Sequence, residues 1–289
     1  MRLPVIIVLP LGLLAVSTAS IFVRMVPDLS AITIAFWRMA IASAILWVIT
    51  MPGRPTGLSS VNRGRVIIAG ILLGLHFACF FGALKYTSIA NATVLSTMAP
   101  VFTAIIERFA LGRIWSKTIL FGLIAAIGGA VIIQGGHLDL GNTNTTGNLL
   151  GLGASVFIAG VLLLTEQIRK DTAALVFSRS LYLVGALTML LMIGFTGQSL
   201  LPIAKADFLW LILLGIIPTV FGHTSFYYAV KFVSPTVVAA VPLGEPIVAS
   251  TLGWYLLQES VPGLTVVGGV LTLTGLFLII YQSRRIQSN

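Results

Sequence analysis

Apolar residues fill ten windows of about twenty positions along the chain, separated by short clusters of charge, proline or glycine. They predict helices near residues 4–26, 30–51, 65–86, 90–111, 116–135, 148–168, 173–196, 206–229, 235–257 and 263–282. At a rise of about 1.5 Å per residue, each window matches a hydrocarbon core about 30 Å thick. The first window begins after Met1 and Arg2 and is too long for a signal-peptide core, so it reads as the first membrane span. Two connections are stiffened by Pro27 and Pro262, and the longest polar segment, 136–147, divides the chain into halves 1–135 and 148–289.

The halves resemble each other. Shifting Ala83–Ile133 by 146 positions lands it on Ala229–Ile279 without a gap. Lys85 then falls on Lys231, Pro100 on Pro246, Leu111 on Leu257, Gly122 on Gly268 and Gly129 on Gly275. Phe36-Trp37-Arg38 aligns with Phe177-Ser178-Arg179 at an offset of 141. The lysine and proline matches are not apolar filler. Five spans per half is an odd number, so the second copy is inverted relative to the first. The predicted fold is an all-α integral membrane protein of ten transmembrane helices in two inverted five-helix repeats. That layout creates a site at the repeat interface which can open to either side.

Composition removes the soluble classes, since 57% of the 289 residues are hydrophobic and 9% are charged. Lys and Arg outnumber Asp and Glu by 17 to 8. With the N-terminus in the cytoplasm, most of those cations fall at inside ends: Arg2, Arg54, Arg63, Arg65, Arg108, Arg113, Lys117, Arg169, Lys170, Lys231, Arg284 and Arg285. Arg24, Lys85 and Lys205 fall outside. The asymmetry predicts both termini in the cytoplasm and makes nucleic acid an unsuitable partner. An inner, or plasma, membrane is the expected location. The lone Cys79 offers no disulfide, and the His, Cys and acidic residues lack metal-ligand spacing. No metal or cofactor is expected.

Ionisable groups at membrane depth are costly, about 2.5–3.5 kcal/mol on insertion scales, and so mark candidate sites. Glu245 lies mid-span between Pro242 and Pro246, where a broken helix and a carboxylate could meet a substrate amine, a cation or a coupling proton; an ion pair with an intramembrane Arg is the bland alternative. Arg38 and Arg179 match in spans two and seven, where snorkelling competes with ligand contact. Trp37 is an anchor or a binding surface. His76 and His223 nearly superpose under the repeat, beside Phe77, Phe80 and Phe81 in one copy and Phe226, Tyr227 and Tyr228 in the other. Span four supplies Asn91, Thr93, Ser96, Thr97, Pro100 and Thr103, with Ser96, Pro100 and Thr103 on one helical face; span one adds Ser17, Thr18 and Ser20. These are cavity lining or interhelical glue. Glu166 reads as a surface pair with Arg169 or Lys170, and Ala125 with Gly129 as a close-packing face. The chain holds no phosphate-binding loop, nucleophile elbow or zinc-protease motif.

Gly82-Ala83-Leu84-Lys85-Tyr86-Thr87-Ser88 running into Ala99-Pro100-Val101-Phe102 is paired with Tyr228-Ala229-Val230-Lys231-Phe232-Val233-Ser234 running into Pro242-Leu243-Gly244-Glu245-Pro246. On these stretches the chain resembles the drug/metabolite transporter superfamily and its ten-helix EamA-type exporters, toward the branch of the aromatic amino acid exporter. Glu259 matches the acidic stretch that commonly ends the ninth span, whereas the first copy carries Arg113 there. The resemblance implies a helical basket alternating between inward and outward openings and moving small organic solutes out of the cytoplasm. Amino acids, aromatic ones slightly favoured, lead the expected substrates. Lipophilic cations and nucleotide-related metabolites are the alternatives, and an intramembrane enzyme or a passive channel stays open. The expected partners are a small-molecule substrate and the bilayer, and the oligomeric state is open, a monomer included.

Overall fold

A computed structural model describes residues 4–52, 57–87, 89–134, 145–201, 206–257 and 263–288. Most of the 136–147 linker, together with Arg2, Arg54, Ser88, Lys205, Glu259 and Pro262, lies outside the described residues. Ten helical spans fill the remainder. They are α1 (Val5–Ser17, continued by Ala19–Arg24), α2 (Ala31–Thr50), α3 (Ser60–Tyr86), α4a (Ile89–Ser96) with α4b (Ala99–Phe109), and α5 (Lys117–Gln134). The second half has α6 (Thr145–Ile168), α7 (Ala174–Thr196), α8 (Asp207–Leu214, then Gly215–His223 and Thr224–Ala229), α9a (Pro235–Ala240) with α9b (Glu245–Leu257), and α10 (Gly263–Ser288). Eight spans are long and apolar enough to cross a membrane, and Lys117–Ile133 and Pro235–Val248 are shorter apolar helices. The protein is an all-α multi-pass membrane protein.

Helix ends fall where local chemistry dictates. Ser30 and Ser234 accept hydrogen bonds from Thr33 N and Val237 N, capping α2 and α9a. α3 starts at Ser60, five residues before the apolar pattern predicts, because Ser59 caps it through Asn62 N and Asn62 reaches Asp171 and Thr172. Close packing rests on glycines. A Cβ on Gly222 would stand 2.5 Å from Val16 Cγ2, and one on Gly12 would stand 2.9 Å from Phe226, so α1 and α8 cross at these positions. α5 and α10 meet through Gly122, Ala126 and Gly129 against Gly268, Thr272 and Gly275, and Thr272 Oγ1 donates to Ala126 O. The small-residue face of α5 includes Ala126, whose backbone N a Cβ on Gly275 would meet at 2.5 Å.

Regular helix fails in four spans. α1 breaks at Thr18. α4 breaks at Thr97 and Met98. α8 widens to π-helix over Gly215–His223, which contains Pro218, and α9 tightens to 3₁₀-helix over Val241–Gly244. Proline explains part of this, since it donates no backbone hydrogen bond and crowds the preceding turn. In lipid such backbone is tolerated only where protein or a cavity satisfies it. All four breaks border the same central cavity.

Candidate functional site

The cavity occupies about 420 Å³ between both halves of the chain. Its floor is set by Leu162, Val238 and Ala239, and its walls extend to Val23, Ala31, Leu84 and Thr93. The latter residues lie at the α1–α2 and α3–α4 turns. The cavity therefore points to the face opposite the one that carries the start of α1 and the end of α10, here termed the N/C face.

Four basic or acidic side chains line it: Arg38, His76, His223 and Glu245. Arg38 comes from α2. Its Nε donates to Thr219 Oγ1 at 3.2 Å, and its guanidinium sits 5.4 Å from the Phe77 ring centre. The π-turn makes this anchor possible. Thr219 Oγ1 donates back to Leu214 O at 2.7 Å, and the Thr219 carbonyl accepts from Tyr182 Oη at 3.0 Å. His76 Nδ1 donates to Ala154 O at 2.8 Å, which in the neutral ring leaves Nε2 as an acceptor. Its ring lies 5.1 Å from Phe77, and Phe77, Phe81 and Phe80 follow as a contiguous aromatic run. On the far side His223, Phe226 and Tyr227 form a second cluster, with Tyr227 also 5.5 Å from Phe177. Glu245 projects from the first turn of α9b, where the 3₁₀ segment ends.

Of the residues predicted from sequence, the structure brings Arg38, His76, Phe77, Phe80, Phe81, Ser96, His223, Tyr227 and Glu245 together in the lining of this cavity. Four others stand elsewhere. Trp37 donates from Nε1 to Leu200 O and packs against Phe36 and Phe208. Arg179 stacks 3.9 Å over Trp47 and donates to Thr50 Oγ1, so the repeat-related arginines occupy different surroundings. Tyr228 packs its ring on Phe232. Pro100 is buried at the start of α4b and sets the helix restart. Phe226, named from sequence beside His223, also lines the cavity, and Thr219 and Tyr182 complete the site without having been singled out. Among the described residues no group of three His, Cys, Asp or Glu could hold a metal.

Toward the N/C face the cavity is closed. α4b packs on α9a there, and Thr236 Oγ1 donates to Glu107 Oε2 at 2.8 Å, with Thr103 Oγ1 at 2.9 Å. Glu107 is fully buried; Arg113 Nη1 reaches its Oε1 at 2.8 Å while Arg113 Nη2 grips both oxygens of Glu166. Burial works against the Arg113 charge, but Glu166 and Glu107 outweigh it and hold the guanidinium above its ordinary range. Glu166 thus pairs with Arg113 rather than with Arg169 or Lys170. Arg169 is itself buried, donating to Tyr227 O and Thr172 O, and Lys170 stays at the surface. Gly112, with φ of 65°, makes the turn that brings Arg113 back onto Glu107. Beyond this closure lies a second, vestibule-like cavity of about 480 Å³, bordered by Arg113, Glu166, Lys170 and Lys231.

A broken-helix basket with a polar-studded apolar cavity, open on one side and latched on the other, defines a membrane transporter. The chain belongs to the EamA-like transporter family, whose model matches residues 3–134 and again 145–281. It is similar to the pseudopaline exporter CntI of Pseudomonas aeruginosa, at 24% identity over 90% of this chain and 91% of that one. An uncharacterized transporter of Archaeoglobus fulgidus is 26% identical over 94% and 96% of the two chains. Human solute carrier family 35 member G1 is 24% identical over 69% of this chain and 58% of its own. A protein of known crystal structure shares the fold with a TM-score of 0.82 over 97% and 98% of the two chains, at 16% identity.

Proposed function

We propose that this transporter exports amino acids, aromatic ones among them, across the plasma membrane by alternating access, with both termini in the cytoplasm. The observation that carries the reading is the central cavity. It offers two aromatic clusters for an apolar side chain and a few separated polar groups for its charged ends, the ordinary make-up of a small-solute site. The cation asymmetry supports an inside location for the N/C face. On that reading the cavity opens outward and the α4b–α9a contact closes the cytoplasmic end. The Pseudomonas relative is named for export, which supports the direction of movement.

A second reading is favoured by Glu245, a carboxylate among aromatic rings that also suits a lipophilic cation. Uptake of a radiolabelled panel into proteoliposomes of the purified chain, against empty vesicles, separates the two. Saturable uptake of neutral amino acids supports the proposal. Uptake of lipophilic cations with none of any amino acid overturns it in favour of the second reading.

A further inference from the structure

From groups in the central cavity that have no partner in the protein, we infer that the site binds its substrate as a zwitterion: Arg38 Nη2 and Tyr227 Oη take a carboxylate, and Glu245 takes an ammonium group. This deepens the proposed amino-acid export and rests on it.

Arg38 spends its Nε on Thr219, but its Nη2 is buried with no hydrogen-bond partner. Tyr227 Oη is likewise buried and unpartnered, and Tyr227 lines the same cavity. Buried polar groups are nearly always satisfied, so two unspent donors at one cavity call for an acceptor. A carboxylate supplies two oxygens and matches a guanidinium edge plus a hydroxyl. Glu245 is the mirror case. It is the only carboxylate among the described residues lining the cavity, and it makes no hydrogen bond or ion pair there. Arg38 and Glu245 attract each other through space but form no ion pair, so neither has a charged contact partner of opposite sign among the described residues.

A ligand with one negative and one positive group at fixed separation answers both ends at once. One carrying a single charge leaves either Arg38 or Glu245 unmatched. The rest of the lining is aliphatic and aromatic, with Phe77, Phe80, Phe81 and Phe226, the hydroxyls of Ser20, Thr93, Ser96 and Thr97 and the two imidazoles. Its described residues include no further carboxylate, lysine or arginine to pair a charged side chain. The inferred substrates are therefore α-amino acids with neutral, mainly apolar or aromatic side chains.

Isothermal titration calorimetry on the purified full chain tests this with three shape-matched probes: phenylalanine, phenethylamine and 3-phenylpropionate. Wild type is expected to bind phenylalanine on the order of 10–100-fold more tightly than either single-charge analogue. Arg38→Gln should weaken phenylalanine to the level of phenethylamine and leave phenethylamine unchanged. Glu245→Gln should weaken phenylalanine to the level of 3-phenylpropionate and leave that acid unchanged. Tyr227→Phe, which keeps the ring, should weaken phenylalanine and 3-phenylpropionate by about 3–10-fold and spare phenethylamine; with Arg38→Lys it carries the carboxylate arm if Arg38→Gln does not fold. Equal weakening of all three probes by each variant would assign Arg38 and Glu245 to holding the helices and overturn the inference, while wild-type phenylalanine binding left the export reading intact. Wild type that binds no amino acid would remove the export reading and this inference together.

Discussion

Thr219 holds two site residues by two different atoms, its hydroxyl receiving Arg38 and its carbonyl receiving Tyr182. Thr219→Val preserves the shape and removes only the hydroxyl, so Arg38 loses the acceptor that aims it. A hydrogen bond to a charged group contributes about 1.5–3 kcal/mol. Uptake kinetics in proteoliposomes should show the substrate KM rising by about 10-fold or more, with Thr219→Ser close to wild type. An unchanged KM would mean that packing against Phe77 alone aims Arg38. Thr219 was not visible from sequence, because a threonine in an apolar window gives no sign of which side chain crosses to meet it. Glu245 and the two histidines were visible, since charge or imidazole in the middle of a span stands out against lipid. Glu107 was hidden for the opposite reason: next to Arg108 near the end of its window, it reads as an end charge, and only the fold turns it inward onto Thr236 and Arg113.

Among the elements, the two shorter apolar helices, α5 and α9, were as legible as the long ones, because window length and charged ends mark a span regardless of its contacts. The irregular backbone was less so. Pro242 and Pro246 announce a disturbance in α9, but Pro218 does not specify that α8 takes a nine-residue π-helix, in which Thr219 meets Arg38 and Tyr182 from other helices. Helix register was also beyond the pattern, since glycine spacing gives the existence of the α5–α10 contact and not which atoms meet in it, such as Ala126 against Gly275. The crossing can be tested directly. A Cβ at Gly129 would press into Gly268 O and Thr272, whereas one at Gly128 finds its nearest atom, Leu271 Cδ2, at 3.9 Å. Gly129→Leu should abolish the monodisperse peak in size-exclusion chromatography, and Gly128→Leu should retain it with a melting temperature near wild type. Equal tolerance of both would show that the helices can separate at little cost.

The latch joins four segments: α4b through Glu107, the following loop through Arg113, α6 through Glu166 and α9a through Thr236. Arg113 is 37% exposed at the side chain while Glu107 is at 0%, so one guanidinium couples a buried carboxylate to the surface. Removing one partner of a buried ion pair leaves the other uncompensated, at a cost of about 3–5 kcal/mol. Arg113→Ala should therefore raise the population opened at the N/C face. In a Cys79→Ala background, a cysteine placed at Ala239 on the cavity floor should then react faster with a membrane-impermeant maleimide applied to that face. No change in rate would reduce the latch to a surface ornament of a contact held by α4b and α9a alone.

At the scale of the whole molecule, the two cavities lie on either side of one constriction, where Thr103 and Thr236 face each other with hydroxyl oxygens 2.9 Å apart. If transport alternates access across this constriction, those side chains must part once in every cycle to let solute pass between the cavities. A covalent link between them would arrest the protein in the state seen here. The pair Thr103→Cys and Thr236→Cys, again with Cys79→Ala, places thiols where hydroxyl oxygens stand 2.9 Å apart, as closely facing as a disulfide needs its side chains to be. Oxidation should stop proteoliposome uptake and reductant should restore it. Each single-cysteine control should be insensitive to both reagents. Ligand binding from the open side should survive oxidation, because the central cavity and its lining are already formed in the closed-latch state. Uptake that continued through a verified cross-link would refute alternation across this constriction and require another path between the two halves.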